Sequence, residues 1–265
     1  MDMNHINQLQ KDFKDWGLLF SVSEFKENLI EKLKNDGFSQ NNSRLVFIVC
    51  SDDINRLNER ETIENALTEE FGGEFHLGTL AAYPIGGLTG ITAASHHPPD
   101  NVLDMGREEG NLIIFVSPHI GLIIEDELKY GKVLRPGQIK YSSCCGAMIG
   151  FLEFLKKSKN FKDIKQLIKD ENDPSKYIIF KELIESFNEK LSGILNLKEN
   201  NQQIIALSKL NYELVVNRTI LMFKDFLKNS HFEGSFAILG GITINTRDQD
   251  LFVYRHYSLN SVSLT

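Results

Sequence analysis

The chain has 265 residues, of which 42% are hydrophobic and 25% are charged, proportions that argue against a disordered or fibrous protein. Its formal net charge is −7 and it carries no dense basic cluster, so nucleic acid is not an expected partner. The polar amino-terminal segment is unlike a secretory signal, and no apolar run approaches the ~20 residues that cross a bilayer. We therefore expect a cytoplasmic protein that does not enter a membrane, with its three cysteines serving as ligands, catalytic groups or small buried residues.

The first strong signals along the chain are an amphipathic helix and a buried strand. Apolar residues recur at helical spacing over 21–34, which predicts a helix. The short apolar run 45–49 is rich in β-branched residues, which predicts a strand. Cys50 ends this strand, and Asp52 and Arg56 follow in the next turn. A thiol, a carboxylate and a guanidinium are thus expected where open α/β sheets place their ligand sites.

Residues 74–110 lack the regular helix or strand pattern of the preceding segments. Short apolar patches alternate here with glycines, a histidine pair and a proline pair. A loop of this length inside a domain is usually functional, and we predict that this one borders a pocket. Tyr83 and Leu88 are candidates for the apolar wall of that pocket. The pair His96 and His97 has three interpretations: a surface turn without a role, a second metal site, or a proton relay.

Two further segments end in possible metal ligands. The apolar run 111–117 predicts a second buried strand, and His119 follows its end. Cys144 and Cys145 precede Gly146, after which apolar residues adopt helical spacing. A thiol at a helix amino terminus is favoured as a thiolate by the helix dipole and the unpaired amides.

The remaining segments complete an α/β pattern. Residues 159–230 are predominantly helical, with one helix around 177–197 and another around 203–228. Two apolar runs after residue 234 predict a closing β-hairpin. No repeat or flexible linker divides the chain, so we predict one domain over 1–265 with a helical insertion at about 159–230. The predicted fold class is α/β, a mainly parallel β-sheet flanked by helices.

Cys50, His119 and one of the two adjacent cysteines offer three ligands for a catalytic zinc ion. Catalytic zinc is usually held by three such side chains and keeps a fourth position for water. The separations along the sequence are too wide for a zinc knuckle, so three unrelated core or loop residues are the alternative. Asp52 and Arg56 also have an alternative role, a salt bridge within the loop that caps the next helix.

The same residues carry a resemblance to a known family. Cys50-Ser51-Asp52 followed by Arg56, with a later His and Cys-Gly, is similar to the Cys-x-Asp-x-Arg and His-x-x-Cys-Gly signatures of β-carbonic anhydrases. Here the arginine comes six residues after the cysteine rather than four, and a long insertion separates the histidine from the second cysteine. With these departures, the ordered blocks over about residues 45–150 resemble the limiting-CO2-inducible B (LCIB) family, a divergent group of β-carbonic anhydrases. The blocks are CSDDINR, SHHPPDN, PHIG, GKVLRPGQ and SCCGA.

The resemblance implies a β-carbonic-anhydrase-like fold and a Zn2+ ion held by Cys50, His119 and Cys145. Cys145 is preferred to Cys144 because it directly precedes Gly-Ala, as the family's ligand does. Two thiolates and a neutral imidazole leave zinc formally neutral, yet still able to lower the pKa of its water.

The resemblance further implies that Asp52 and Arg56 form a dyad, in which the arginine keeps the carboxylate off the metal and Asp52 orients zinc-bound hydroxide toward CO2. The implied reaction is the reversible hydration of CO2 to bicarbonate. A homodimer with sites near the subunit interface is implied too, with His96 or His97 lining the approach. The alternatives are another zinc-dependent lyase or hydrolase, and a zinc-stabilised, non-catalytic protein that binds a partner in carbon handling.

Overall fold

A computed structural model describes residues 3–96, 110–125, 127–157, 168 and 171–262. Its helices are α1 (Met3–Phe13), α2 (Val22–Phe25), α3 (Glu31–Asn35), α4 (Ile63–Phe71), α5 (Gly87–His96), α6 (Gly146–Lys157), α7 (Pro174–Leu195) and α8 (Asn200–Asn229). A π-helical turn, Lys26–Ile30, joins α2 to α3, and short 3₁₀ turns cover Asp53–Arg56 and Leu80–Ala82. No helix in these ranges is both long and apolar enough to cross a membrane.

The described ranges contain ten strands, most of them in one sheet. They are β1 (Leu18–Ser21), β2 (Ser43–Val49), β3 (Glu74–His76), β4 (Asn111–Ser117), β5 (His119–Ile124), β6 (Leu128–Tyr130), β7 (Lys132–Val133), β8 (Ser142–Ser143), β9 (Phe236–Asn245) and β10 (Asp250–Leu259). The main sheet has the order β1-β10-β9-β4-β2-β3, and β5 extends alongside the end of β9. Strands β3, β2, β4 and β9 run parallel to one another, β10 runs antiparallel to β9, and β1 runs antiparallel to β10. The predicted class, α/β with a mainly parallel sheet, is confirmed.

Both faces of the sheet are covered by helices because its central strands are apolar on both sides. Leu45 and Phe47 of β2 point to a cluster that includes side chains of α2, α3 and α4. Val46 and Ile48 point to the opposite cluster, to which α6, α7 and α8 contribute. Helix α2 begins where the sequence predicts, since Ser21 and Glu24 form a reciprocal capping box.

The prediction of one long loop over 74–110 is wrong for its described part. Strand β3, a 3₁₀ turn and helix α5 occupy most of 74–96, while 97–109 lie outside the described residues. The glycines that suggested a loop allow α5 to pack closely, because a Cβ on Gly90 would lie 2.3 Å from Cδ2 of Leu77. Tertiary packing here overrides the low helix propensity of glycine.

Candidate metal centre

Three potential ligands meet at the carboxyl edge of the parallel strands. Val49 of β2 pairs with Ser117 of β4, so Cys50 and His119 leave their neighbouring strands at the same edge of the sheet. Cys145 directly precedes α6, whose start is brought to this edge by the backbone around Cys144. The Sγ atoms of both cysteines and a ring nitrogen of His119 all lie within 4.8 Å of one another, and all three residues are buried.

The spacing within this trio suits a tetrahedral metal ion. The Sγ atoms of Cys50 and Cys145 are 3.7 Å apart. Two sulfur ligands at about 2.3 Å from zinc in a tetrahedral arrangement would be separated by about 3.8 Å. The two thiols therefore stand at the separation that a shared metal ion requires.

His119 has one nitrogen engaged and the other free. Its Nδ1 lies 2.6 Å from Oδ1 of Asn245, an oxygen that can only accept, so Nδ1 carries the ring proton. Its Nε2 is fully buried and has no hydrogen-bond partner among the described residues. A buried nitrogen lone pair without a partner costs free energy unless a cation or donor meets it. The trio thus offers two sulfurs and one nitrogen, a donor set that could hold a metal ion.

The electrostatics of the trio favour a positive charge within it. The hydrogen bond from Cys145 lowers the pKa of Cys50 well below its usual value, against the effect of burial. The same hydrogen bond and burial raise the pKa of Cys145. Burial lowers the pKa of His119, but the electrostatic influence of Cys144, and then of Cys50 and Cys145, outweighs burial and raises this pKa overall. A site that draws a proton onto a buried imidazole would also attract a metal cation.

The predicted dyad of Asp52 and Arg56 is wrong, because Asp52 pairs with Arg135. Both carboxylate oxygens of Asp52 lie 2.8 Å from Nη2 of Arg135. Arg135 also donates to Ser142, which anchors the guanidinium from its other side. Burial raises the pKa of Asp52, but His119 and Arg135 together lower it below its usual value. Asp52 is therefore held ionised beside the trio, with Oδ2 at 3.9 Å from Nε2 of His119.

Arg56 points away from Asp52 because of the turn between them. Asp52 caps the 3₁₀ turn by accepting from the amide of Ile54, and Arg56 leaves the far end of that turn. There its Nη1 lies 3.4 Å from Nε2 of His76, and its Nε lies 3.5 Å from Oε2 of Glu64. The two residues that the sequence pairs are thus directed to different neighbours.

Of the remaining sequence candidates, Tyr83 packs against the core cluster that includes Cys50 and Cys145, whereas Leu88 is exposed. Tyr83 is half-buried, and burial and then the nearby Glu182 raise its pKa. Leu88 on α5 is 40% exposed. Neither belongs to the ligand cluster as the described part of the chain shows it. His96 ends α5 but its side chain is not among the described features, and His97 lies outside the described residues.

Cys144 is the third buried thiol of the site. Its Sγ lies 3.4 Å from Nδ1 of His119 and 3.4 Å from Oδ1 of Asn245, on the protonated side of the ring. A second possible metal grouping, of Asp52, His119 and Cys144, shares the histidine with the first. Because Cys144 faces the nitrogen that is already bonded to Asn245, it is less well placed to share a metal with Nε2.

Sequence reasoning missed two residues of the site, Arg135 and Asn245. Arg135 lies within the block GKVLRPGQ, which contributes to the family resemblance but suggests no role for this arginine. Asn245 ends strand β9, at the position where the sequence predicts that the polar turn of the hairpin begins. A polar residue at the carboxyl end of a parallel strand was the available signal in the second case.

Comparison with known proteins bears on the family and the fold of this chain. A family model described as "Limiting CO2-inducible proteins B/C beta carbonic anhydrases" matches residues 19–259. The structure is similar to PtLCIB4, a homolog of the limiting CO2-inducible protein LCIB, with a TM-score of 0.74 and 22% identity over 97% of this chain and 96% of that one. It is also similar to LCIB itself, with a TM-score of 0.65 and 15% identity over 97% and 95% of the chains.

A weaker likeness is to a tetrameric β-carbonic anhydrase of Sordaria macrospora, with a TM-score of 0.41 and 11% identity over 93% of each chain. A comparison with curated proteins gave no match. The two LCIB structures support the fold, and the family model covers most of the chain. The chain therefore belongs to the limiting CO2-inducible B/C family of β-carbonic anhydrases.

Proposed function

We propose that this protein is a zinc-dependent carbonic anhydrase that hydrates CO2 reversibly to bicarbonate. The observation that carries the proposal is the buried trio of Cys50, His119 and Cys145, with its 3.7 Å thiol spacing and its unpartnered Nε2. Family membership supports the same reaction class. We assign Cys50, His119 and Cys145 as the zinc ligands because two sulfurs and one imidazole nitrogen match zinc better than calcium or magnesium.

Zinc, when bound, lowers the pKa of a coordinated water and so provides a nucleophile near neutral pH. Asp52 is not part of the close grouping of the trio, so three protein ligands leave one coordination position for water. The hydrogen bonds from Arg135 to both oxygens of Asp52 would compete with direct ligation of the metal by this carboxylate. This arrangement supports an open, catalytic site rather than a closed, structural one.

Asp52 would orient the attacking water. An ionised carboxylate only accepts hydrogen bonds, so Asp52 can accept one hydrogen of the water and leave its lone pair directed at CO2. Arg135 fixes both oxygens of that carboxylate, which limits the positions the water can take. Arg135 thus replaces Arg56 as the basic partner of the dyad.

The route by which the proton leaves stays a prediction, with His96 and His97 as its candidates. Self-association as a homodimer and a cytoplasmic location are also proposals. Exposed apolar side chains beside the Arg135 segment support self-association, since Ile139 is 94% exposed and Tyr141 is 45% exposed.

The test is stopped-flow CO2 hydration by protein of measured zinc content, compared with Asp52→Ala and Cys50→Ala. We expect fast hydration by the wild type, slow hydration by zinc-loaded Asp52→Ala, and loss of zinc from Cys50→Ala. Full zinc occupancy without hydration between mildly acidic and alkaline pH would refute the enzymatic proposal and favour a zinc-stabilised binding protein. Hydrolysis of esters or amides without CO2 hydration would favour a zinc hydrolase instead.

A further inference from the structure

A buried polar network runs from the ligand trio into the body of the fold. We propose that Asn245 is a positioning residue that fixes which nitrogen of His119 is available to the metal. We further propose that the Arg60–Asp250 ion pair sets the orientation of Asn245. The inference rests on the zinc site of the proposed function.

The contact between Asn245 and His119 determines the position of the ring proton. A side-chain amide has one accepting end and one donating end, and its accepting oxygen lies 2.6 Å from Nδ1 of His119. The ring must therefore carry its proton on Nδ1 and present the lone pair of Nε2. If the amide were turned around, its NH2 group would face Nδ1 and favour a proton on Nε2, the nitrogen that otherwise has no hydrogen-bond partner among the described residues.

The donating end of Asn245 is held by two acceptors. Its Nδ2 donates to Oδ1 of Asp250 at 2.8 Å and to Oδ1 of Asn55 at 3.1 Å. A reversed amide would place its oxygen against the carboxylate oxygen of Asp250, and a buried contact between two acceptors is strongly unfavourable. Asp250 therefore decides which end of the Asn245 amide reaches His119.

The position of Asp250 is itself fixed, because its negative charge is compensated by the positive charge of Arg60. Arg60 lies 2.7 Å from Oδ1 of Asp250, and the two side chains are 0% and 1% exposed. The amide of Ile63 donates to Oδ2 of Asp250, and Arg60 donates further to the carbonyls of Ile54 and Thr246. Breaking one member of so buried a pair leaves an unpaired charge, so the pair holds a single geometry.

The same network reaches a second ligand. Nδ2 of Asn55 donates to the backbone carbonyl of Cys50 at 3.2 Å, while Oδ1 of Asn55 accepts from Asn245. Thus the histidine ligand and one cysteine ligand are tied to one set of buried hydrogen bonds. Partners of this kind orient metal ligands, and their loss typically lowers metal affinity about 10- to 100-fold.

A purely structural role for Asn245 gives different expectations. Asn245 ends β9 and pairs with Asp250 of β10, so it could serve only to close the hairpin. In that case its loss would lower the stability of the fold but leave unchanged both the zinc affinity of the folded protein and the tautomer of His119. The two roles are therefore separated by measurements of zinc binding and ring protonation.

The first experiment measures zinc affinity by competition with a chromogenic chelator. Wild type is compared with Asn245→Ala, Asp250→Asn and the matched control Asn211→Ala, after far-ultraviolet circular dichroism has established that each is folded. Asn211 is an equally buried asparagine whose amide donates at 3.0 Å to the carbonyl of Ala81, away from the network. We expect Asn245→Ala to bind zinc about 10- to 100-fold more weakly. Asp250→Asn should be weakened in the same direction, and Asn211→Ala should keep the wild-type affinity.

The second experiment needs no variant and so does not depend on the folding of Asn245→Ala. Zinc-loaded wild type labelled with 15N-histidine should show His119 with its proton on Nδ1 and none on Nε2. A proton on Nε2 would overturn the proposal, as would unchanged zinc affinity in folded Asn245→Ala. Weakened zinc binding by Asn245→Ala in a protein that hydrates no CO2 would refute the proposed activity alone. Failure of the wild type to bind zinc would overturn both.

Discussion

At the scale of single residues, the site depends on which arginine reaches Asp52. Two arginines are candidates: Arg56 is four residues along the chain, and Arg135 is far from it. In the structure, Arg135 donates hydrogen bonds to both carboxylate oxygens of Asp52. Arg56 instead lies beside Glu64 and His76. One guanidinium nitrogen of Arg135 contacts both oxygens of Asp52 while another donates to Ser142, and this arrangement fixes the orientation of the carboxylate.

This contrast predicts unequal effects of two matched substitutions. We expect Arg135→Gln to slow CO2 hydration about 100-fold, because a misoriented Asp52 no longer aligns the attacking water. Arg56→Gln should retain near-wild-type hydration, because Arg56 does not contact Asp52. Both variants should retain zinc, measured by metal analysis. A greater loss of hydration in Arg56→Gln than in Arg135→Gln would contradict the assignment.

A second prediction concerns Glu64, whose side chain is 5% exposed beside Arg56. Burial raises its pKa to about 8, with the charge of Asp250 adding to the effect and Arg56 opposing it. Between its unfolded pKa of about 4.3 and about 8, the folded protein holds a proton that the unfolded chain has lost, so this group makes stability fall as pH rises. We expect Glu64→Gln to reduce this decline by an amount on the order of a few kcal/mol. Urea unfolding at pH 5 and pH 9 measures it, and an equal pH dependence in both proteins would show the prediction to be wrong.

At the scale of elements, the sheet edge that carries the site is tightly packed. Gly78 follows β3 and passes so close to β2 that an added Cβ would lie 2.1 Å from the carbonyl oxygen of Val49. Val49 directly precedes Cys50. A side chain at position 78 that displaced Val49 would therefore also displace Cys50, one of the proposed metal ligands. By contrast, Gly150 lies within α6 and an added Cβ would meet nothing within 4 Å.

These two glycines give opposite predictions for the same substitution. Gly78→Ala should destabilise the protein by about 1–3 kcal/mol, because the clash is with backbone, and it should also weaken zinc binding. Gly150→Ala should stabilise α6 by about 0.5–1 kcal/mol, because glycine is a poor helix former. Thermal unfolding and chelator competition measure both effects. Wild-type stability and zinc affinity in Gly78→Ala would contradict the close packing.

How far the sequence predicts the structure depends on how local each signal is. Strands β2 and β4 were predictable because continuous apolar runs of this length are buried strands, and the hairpin of β9 and β10 has a clear polar turn. Helix α5 was not predicted because its glycines are typical of a loop. Their role in close packing against Leu77 is visible only in the folded structure. The trio was predictable from element ends and family resemblance. Arg135 and Asn245 were not, because their partners are set by long-range contacts that no spacing in the sequence encodes.

At the scale of the whole molecule, the trio joins segments that are far apart in the chain. Cys50 follows β2, His119 begins β5 and Cys145 precedes α6, so a metal ion held by all three would connect these elements. A ligand that binds only the folded state stabilises it by about 2.7 kcal/mol when its free concentration is 100 times its dissociation constant.

Metal removal is therefore expected to lower the melting temperature. Treatment of the zinc-loaded protein with a chelator should shift Tm downward by several degrees, and zinc should restore it. Cys145→Ala should melt at the same temperature with and without chelator. A chelator response in Cys145→Ala equal to that of the wild type would place the stabilising metal elsewhere.

The most direct test of the central claim is the loss of 18O label from CO2 at chemical equilibrium, followed by mass spectrometry on protein of measured zinc content. Label is lost only when CO2 is hydrated and bicarbonate is dehydrated again, so the measurement reports both directions of the proposed reaction. We predict rapid loss of label with the zinc-loaded wild type and the uncatalysed rate with Cys145→Ala. Loss of label at the uncatalysed rate with fully zinc-loaded wild type would contradict the account.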